Sequence, residues 1–106
     1  MSRYDYGINL GMFMGKAFES INLTTASAVG LSSAIYDSKT MRALITVEDG
    51  SFRYRYDQVD PTPTIGHLVG SGDTVGINGI SNIKQFKMIA TTGTANLMVT
   101  YESEIR

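Results

Sequence analysis

Apolar and polar residues alternate most clearly on either side of Asp49-Gly50. Upstream, Arg42-Ala-Leu-Ile-Thr-Val-Glu48 puts Ala43, Ile45 and Val47 on one face of a strand. Downstream, Ser51-Phe-Arg-Tyr-Arg-Tyr-Asp57 does the same for Phe52, Tyr54 and Tyr56. A period of two marks a half-buried strand. Asp-Gly between two such runs signals a hairpin, because a type I′ turn needs positive φ at both central residues. The pattern predicts that Glu48 pairs with Ser51, Val47 with Phe52, Ile45 with Tyr54 and Ala43 with Tyr56. A slip of one residue would turn the apolar set outwards.

A second pair of runs, Gln85-Phe-Lys-Met-Ile-Ala-Thr91 and Thr94-Ala-Asn-Leu-Met-Val-Thr-Tyr101, flanks Thr92-Gly93. It predicts another hairpin, with Phe86 against Val99, Met88 against Leu97 and Ala90 against Ala95. Ile89 and Met98 fall on the opposite side, so that face is expected to be partly covered too. Between the pairs, Asp60-Pro-Thr-Pro63 reads as a loop, since each proline lacks a donor and extends its predecessor. Thr64 to Val69 and Thr74 to Ile77 predict short strands around the turn Gly70-Ser-Gly-Asp73, and Asn78-Gly79 predicts a turn leading through Ile80 to Ile83. Upstream, Ser20 to Thr25 and Ser33 to Asp37 predict strands around the small-residue stretch Ala26 to Leu31. Roughly seven or eight short strands with frequent turns imply an all-β fold, a single antiparallel β-sandwich or jelly roll.

The first nineteen residues follow a different pattern, with Gly7, Gly11 and Gly15 spaced by four. A helix would carry three glycines at about 1 kcal/mol each. An extended arm is the cheaper solution, with Ile8, Leu10, Met12, Phe13, Met14 and Phe18 resting on a neighbouring subunit. The expected division is an N-terminal arm over residues 1–19 and a β-sandwich domain over 20–106. An N-terminal strand belonging to the same domain is the alternative.

Composition narrows the chemistry. The chain has 106 residues, 42% of them hydrophobic, a net charge of -1, and only 18% charged residues. That describes one globular domain without the basic stripe that nucleic acid requires. No apolar run approaches the roughly 20 residues that span a bilayer as a helix, and no basic segment with an apolar core marks a signal peptide. Cysteine is absent, which removes disulfides, thiolate catalysis and Cys-held metals. Eleven glycines, eleven threonines and ten serines against two prolines suit short strands and tight turns.

No catalytic set can be assembled, so the expectation is a protein that is not an enzyme and holds neither cofactor nor metal. His67 is the single histidine and lies between Ile65-Gly66 and Leu68-Val69, as a structural residue would. Asp57, Asp60 and Asp73 occur in turn-rich segments without calcium-loop spacing. Gly70-Ser-Gly-Asp73 lacks the Lys-Ser/Thr and the helix of a phosphate loop. In Arg53-Tyr-Arg-Tyr56, strand geometry sends arginines and tyrosines to opposite faces. Arg53 and Arg55 are therefore candidates for acidic partners in the chain or for an interface.

Several segments together resemble a group of small tailed-bacteriophage proteins. They are Leu23-Thr-Thr-Ala26, Arg42 to Asp57, Asp60-Pro-Thr-Pro-Thr-Ile-Gly-His-Leu68, Gly72-Asp73, Phe86-Lys-Met-Ile-Ala90 and Val99-Thr-Tyr-Glu102. The likeness runs over residues 20–102, and the Asp-Pro-Thr to Gly-His stretch is its distinctive part. It implies a virion structural protein, assembled in the bacterial host cytoplasm, with no catalytic residues to carry over. A capsid decoration or cement protein would contact itself, as a homo-oligomer, and the major capsid protein or other virion proteins. Tail, neck or fibre positions are alternatives. So is a carbohydrate- or host-surface-binding module, for which Tyr36, Tyr54, Tyr56 and Tyr101 would offer stacking platforms. That last reading requires an exposed tyrosine beside a carboxylate or amide.

Overall fold

The computed structural model describes residues 13–104, which form eight strands and one short helix. The strands are β1 (Phe13–Thr24), β2 (Val29–Gly30), β3 (Arg42–Asp49), β4 (Ser51–Arg55), β5 (His67–Gly70), β6 (Thr74–Asn78), β7 (Lys87–Ala90) and β8 (Thr94–Glu104). The helix, α1 (Ile80–Gln85), joins β6 to β7. One antiparallel sheet has the order β1-β8-β3-β6, the other β2-β7-β4-β5. The pairings β4·β5, β3·β6, β2·β7 and β1·β8 trace one long antiparallel ribbon with β4 and β5 at its tip. That ribbon is rolled up so that β8 meets β3 and β7 meets β4. The fold is therefore a jelly roll, the more specific of the two expected architectures.

This topology corrects both expected hairpins. Strands β3 and β4 lie in different sheets, as do β7 and β8. At Asp49-Gly50 and again at Thr91–Gly93 the chain turns a corner from one sheet to the other. The true neighbours are distant in sequence: Ile45 faces Val99 and Val47 faces Leu97, while Phe52 faces Ala90 and Tyr54 faces Met88. A third corner, Gly70–Asp73, carries β5 into β6. The corners stack on one another. Gly72 N donates to Val47 O at 2.9 Å, Val47 N donates to Asp73 O at 3.1 Å, and Thr91 N donates to Ser51 O at 3.1 Å. These bonds satisfy backbone groups that a change of sheet would otherwise strand.

The alternation itself is read correctly. Ala43, Ile45 and Val47 are buried, as are Phe52, Phe86, Met88, Ala90, Ala95, Leu97, Val99 and Tyr101. They meet across the sandwich from opposite sheets, so the inward face is right and the neighbour is wrong. Three local expectations also change. Ser33 to Asp37 is a turn and not a strand, and only Val29–Gly30 of the small-residue stretch pairs, against β7. Ile80–Gln85 is helical, one turn and a half with Ile83 buried beneath it. Thr64 and Ile65 belong to a tight turn closed by a Thr62–Ile65 bridge, and β5 starts only at His67.

The division between arm and domain shifts as well. Residues 13–19, placed in the arm by the glycine spacing, are the first half of β1 and pair with β8 from Phe13 opposite Glu104 onward. A bulge between Gly15 and Ala17 resets the register. The physical reason is β8, whose eleven-residue ladder would otherwise have an unpaired edge along its whole length. Ile8, Leu10 and Met12 lie outside the described residues.

Candidate functional site

Strand β1 is at the edge of its sheet, paired with β8 and, among the described residues, with nothing on its other side. After the bulge, Ala17, Glu19, Ile21 and Leu23 turn inward and Phe18, Ser20, Asn22 and Thr24 turn outward. Phe18 is 60% exposed, and Met14 and Phe13 are exposed at the start of the strand. The three arm residues that can be placed thus sit on one edge of the jelly roll. Phe13 is held by the Arg42 guanidinium, whose carbon lies 4.9 Å from the ring centroid while the same group is salt-bridged to Glu102.

The outer face of this sheet continues the low-charge character of its edge. Phe18 pairs with Thr100, which pairs with Leu44; Ser20 pairs with Met98, which pairs with Thr46. Arg42 and Glu102, adjacent on the same face, neutralise each other. The half-burial of Met98 agrees with its expected partial cover. Natural edge strands of this length usually carry outward charge or proline against unwanted pairing. Outward positions from Phe18 to Thr24 hold neither.

Glu19 is the residue that breaks the alternation, a carboxylate in an inward position. The Tyr101 hydroxyl donates to its Oε2, and Ser32 N donates to the same oxygen at 3.1 Å. Tyr36 packs on Tyr101 with ring centroids 5.4 Å apart. Together these contacts pin β1 to β8 and to the segment after β2. Burial, and after it the hydrogen bond to the Glu19 carboxylate, pushes the Tyr101 hydroxyl well above the usual phenol range.

An acid whose folded pKa is raised contributes stability that is complete below its unfolded pKa and is lost as pH climbs beyond it. Stability should therefore fall above pH ~10, by up to about 1.4 kcal/mol per pH unit from this one group. Tyr101→Phe should cost about 1–3 kcal/mol at neutral pH, because a half-buried carboxylate loses a donor. It should also remove one proton's worth of the alkaline slope. Urea titrations of both proteins at pH 7 and pH 11 measure the two effects.

The two arginines singled out from the sequence are both engaged within the chain. Arg53 Nε donates to Pro63 O at 3.1 Å and its Nη1 to Gly66 O at 2.9 Å. Arg55 grips Asp57 with two bonds, Nε to Oδ1 at 3.0 Å and Nη2 to Oδ2 at 2.6 Å. The tyrosines divide by depth. Tyr101 is fully buried, Tyr36 and Tyr54 are half-buried, and Tyr56 is 46% exposed beside Asp57. His67 is exposed on β5 with its ring 5.1 Å from that of Tyr54. Asp73 accepts from Gly70 N at 2.9 Å, bracing its own turn.

No family model, curated protein or solved structure matches this chain. What the molecule can do is then a question for its surface. Among the described residues, no three His, Asp or Glu side chains gather as metal ligands, and no helix is long and apolar enough to cross a membrane. The inward Glu19 and the wall of loop packed on Arg53 are the features that periodicity missed. A carboxylate in an apolar phase was the available signal for the first. The second had none, because Arg53 bonds to main-chain carbonyls that any sequence could supply.

Proposed function

We propose that this protein is a structural component of a tailed-bacteriophage particle, a capsid decoration protein that reinforces the shell through contacts with itself and with the shell protein. The observation that carries the reading is β1, a twelve-residue edge strand with exposed Phe13, Met14 and Phe18 and no outward charge from Phe18 to Thr24. An edge and face of that kind are suited to being covered by protein, through main-chain pairing with apolar side chains beside it. Two further points support it. The sequence resembles small phage virion proteins over residues 20–102, and the jelly roll is an architecture found in viral capsids. Of the residues expected to rest on a neighbour, Phe13, Met14 and Phe18 lie on this edge, where the surface needs cover.

The reading makes a concrete prediction for purified protein. The wild type should run as an oligomer in size-exclusion chromatography with light scattering. Phe18→Lys together with Ser20→Lys should shift it to the monomer mass, because outward charges on an edge strand block edge pairing. The variant should still unfold in one cooperative transition, since both side chains are exposed in the single chain, with a midpoint lowered only by the loss of assembly. A wild type that is monomeric at all concentrations and does not add to purified phage heads would remove the proposal. Gold-labelled antibody on intact particles would locate it: label over the shell fits decoration, whereas label on neck or tail moves the same protein there.

A further inference from the structure

The geometry points to a carbohydrate-binding cleft at the end of β4, distinct from the β1 edge and independent of where in a particle the protein resides. Phe52, Tyr54 and Tyr56 form an aromatic file that runs from the fully buried core to the surface. Phe52 and Tyr54 have ring centroids 6.3 Å apart, and Tyr54 and Tyr56 are 6.3 Å apart and nearly parallel at 21°. The last ring is the exposed one. It borders a cleft of about 440 Å³ lined by Arg55, Tyr56, Asp57, Ile65, Gly66 and His67. On another side of the same ring is a smaller recess of about 210 Å³, lined by Asn78, by Asn82, whose Nδ2 donates to Asn78 O at 3.0 Å, and by Tyr54.

The cleft is built, and rigid parts build it. Its wall comes from the loop Asp60 to His67, through Ile65, Gly66 and His67. Thr62 and Ile65 exchange main-chain bonds at 3.0 and 3.2 Å, and Thr62 Oγ1 also accepts from Ile65 N at 3.0 Å. Arg53 ties Pro63 and Gly66 down from the other face of β4. Gly66 has φ +138, and a Cβ there would lie 3.0 Å from Tyr54 O and 3.2 Å from Pro61 Cβ. Only glycine lets the wall approach β4 so closely. Beyond Asp57, Gln58 holds φ 69, a left-handed conformation uncommon for a side chain of that kind.

The chemistry of the lining selects the ligand class. Arg55 and Asp57 form a planar, doubly bonded pair whose charges cancel, which disfavours phosphate and free carboxylate ligands. The hydrogen bond from Arg55, with smaller help from nearby main-chain amides, holds the Asp57 carboxyl below its ordinary range, so it stays an acceptor at neutral pH. An exposed aromatic face flanked by such a fork matches a sugar ring. The C–H face of the sugar packs on Tyr56 while vicinal hydroxyls bridge the carboxylate and the guanidinium. Ile65, 57% exposed at the rim, adds apolar cover for one edge of the ring.

The test is a titration of ¹⁵N-labelled protein with the methyl glycosides of glucose, galactose, mannose, rhamnose and N-acetylglucosamine. At least one should give saturable amide shifts at Tyr56, Asp57, Gly66 and His67, with affinity on the order of millimolar for a single unit. Tyr56→Ala and Asp57→Ala should each weaken binding roughly tenfold, and Tyr56→Phe should retain most of it because the ring face remains. Both alanine variants alter exposed side chains, and unchanged thermal midpoints would show that the fold is intact. Absence of saturable shifts with all five sugars overturns the proposal, as do shifts confined to other surfaces. So does a Tyr56→Ala change in oligomer mass without any sugar response, which would assign the cleft to a protein contact.

Discussion

Gly50→Val should leave little folded protein at 37 °C, and in urea its unfolding midpoint should collapse relative to wild type. Two costs combine at this corner. Gly50 has φ +83, where a β-branched residue is strained by about 1–3 kcal/mol. A Cβ there would also lie 2.4 Å from the Thr94 carbonyl oxygen and 3.0 Å from Ala95 Cα. Those are main-chain atoms of β8, the strand paired to both β1 and β3, so neither can move without disturbing the sheet. A total of at least ~4 kcal/mol is a large share of the ~5–15 kcal/mol that holds a domain of ordinary stability. Gly93→Ala is the matched control. Its φ is +57 but nothing lies within 4 Å of the new Cβ, so it should cost only about 1 kcal/mol. Equal losses at the two glycines would mean that dihedral preference alone governs these corners and that the close stacking contributes nothing.

The same corner explains how far this fold can be read from its residues. Asp49-Gly50 permits two different structures, a hairpin within one sheet and an arch between two. Both need a residue with positive φ, and both send Ala43, Ile45, Val47 and Phe52 into the core. Periodicity reports which way a side chain points and is silent on which strand lies beside it. Strand partners here are set by contacts some fifty residues apart, such as Ile45 with Val99, and no local preference encodes them. Glycines at the other corners carry the same ambiguity. The short helix escaped for another reason. Ile80–Gln85 shows only Ile80 and Ile83 in helical phase, too few positions to establish a period, and its start at Gly79 has no side-chain cap.

The candidate site was legible in a similarly uneven way. The apolar character of Phe13, Met14 and Phe18 pointed to a surface needing cover, and the structure puts all three on an edge strand, although as part of the domain and not as a free arm. The opposite facing of arginine and tyrosine followed from strand geometry and holds for Arg53 and Tyr54 within β4, whereas at the end of the strand Arg55 and Tyr56 line one cleft. Two things did not follow: that Arg53 would brace the Asp60 to His67 loop, and that Tyr56 would emerge beside it. Both depend on a loop folding back over its own strand, a tertiary event with a motif but no period.

Phe86→Ala should destabilise the domain by about 3–5 kcal/mol, the usual cost of emptying a fully buried aromatic site. The position makes the larger end of that range the expected one. Phe86 closes α1, accepting the turn from helix to strand with φ -68 and ψ 126, and its N–H donates to Ile83 O. Rigid strands surround it, so the cavity has little room to collapse. Its ring centroid is 4.9 Å from that of Tyr54, which in turn supports Tyr56. A second effect should therefore accompany the loss of stability. With Phe86 gone, Tyr54 can sink toward the vacated space, and the exposed ring that it backs should lose its fixed position. Denaturant titration reads the first effect. The second is read from the aromatic proton shifts of Tyr56 in the folded variant, under conditions where more than nine-tenths of it is native. Phe86→Leu, which refills most of the volume without restoring a ring, should recover about half of the lost stability. It should leave the Tyr56 shifts displaced, because an aliphatic side chain cannot reproduce the tilted packing against Tyr54. Recovery of both with leucine would show that volume alone, and no aromatic contact, links the core to the cleft.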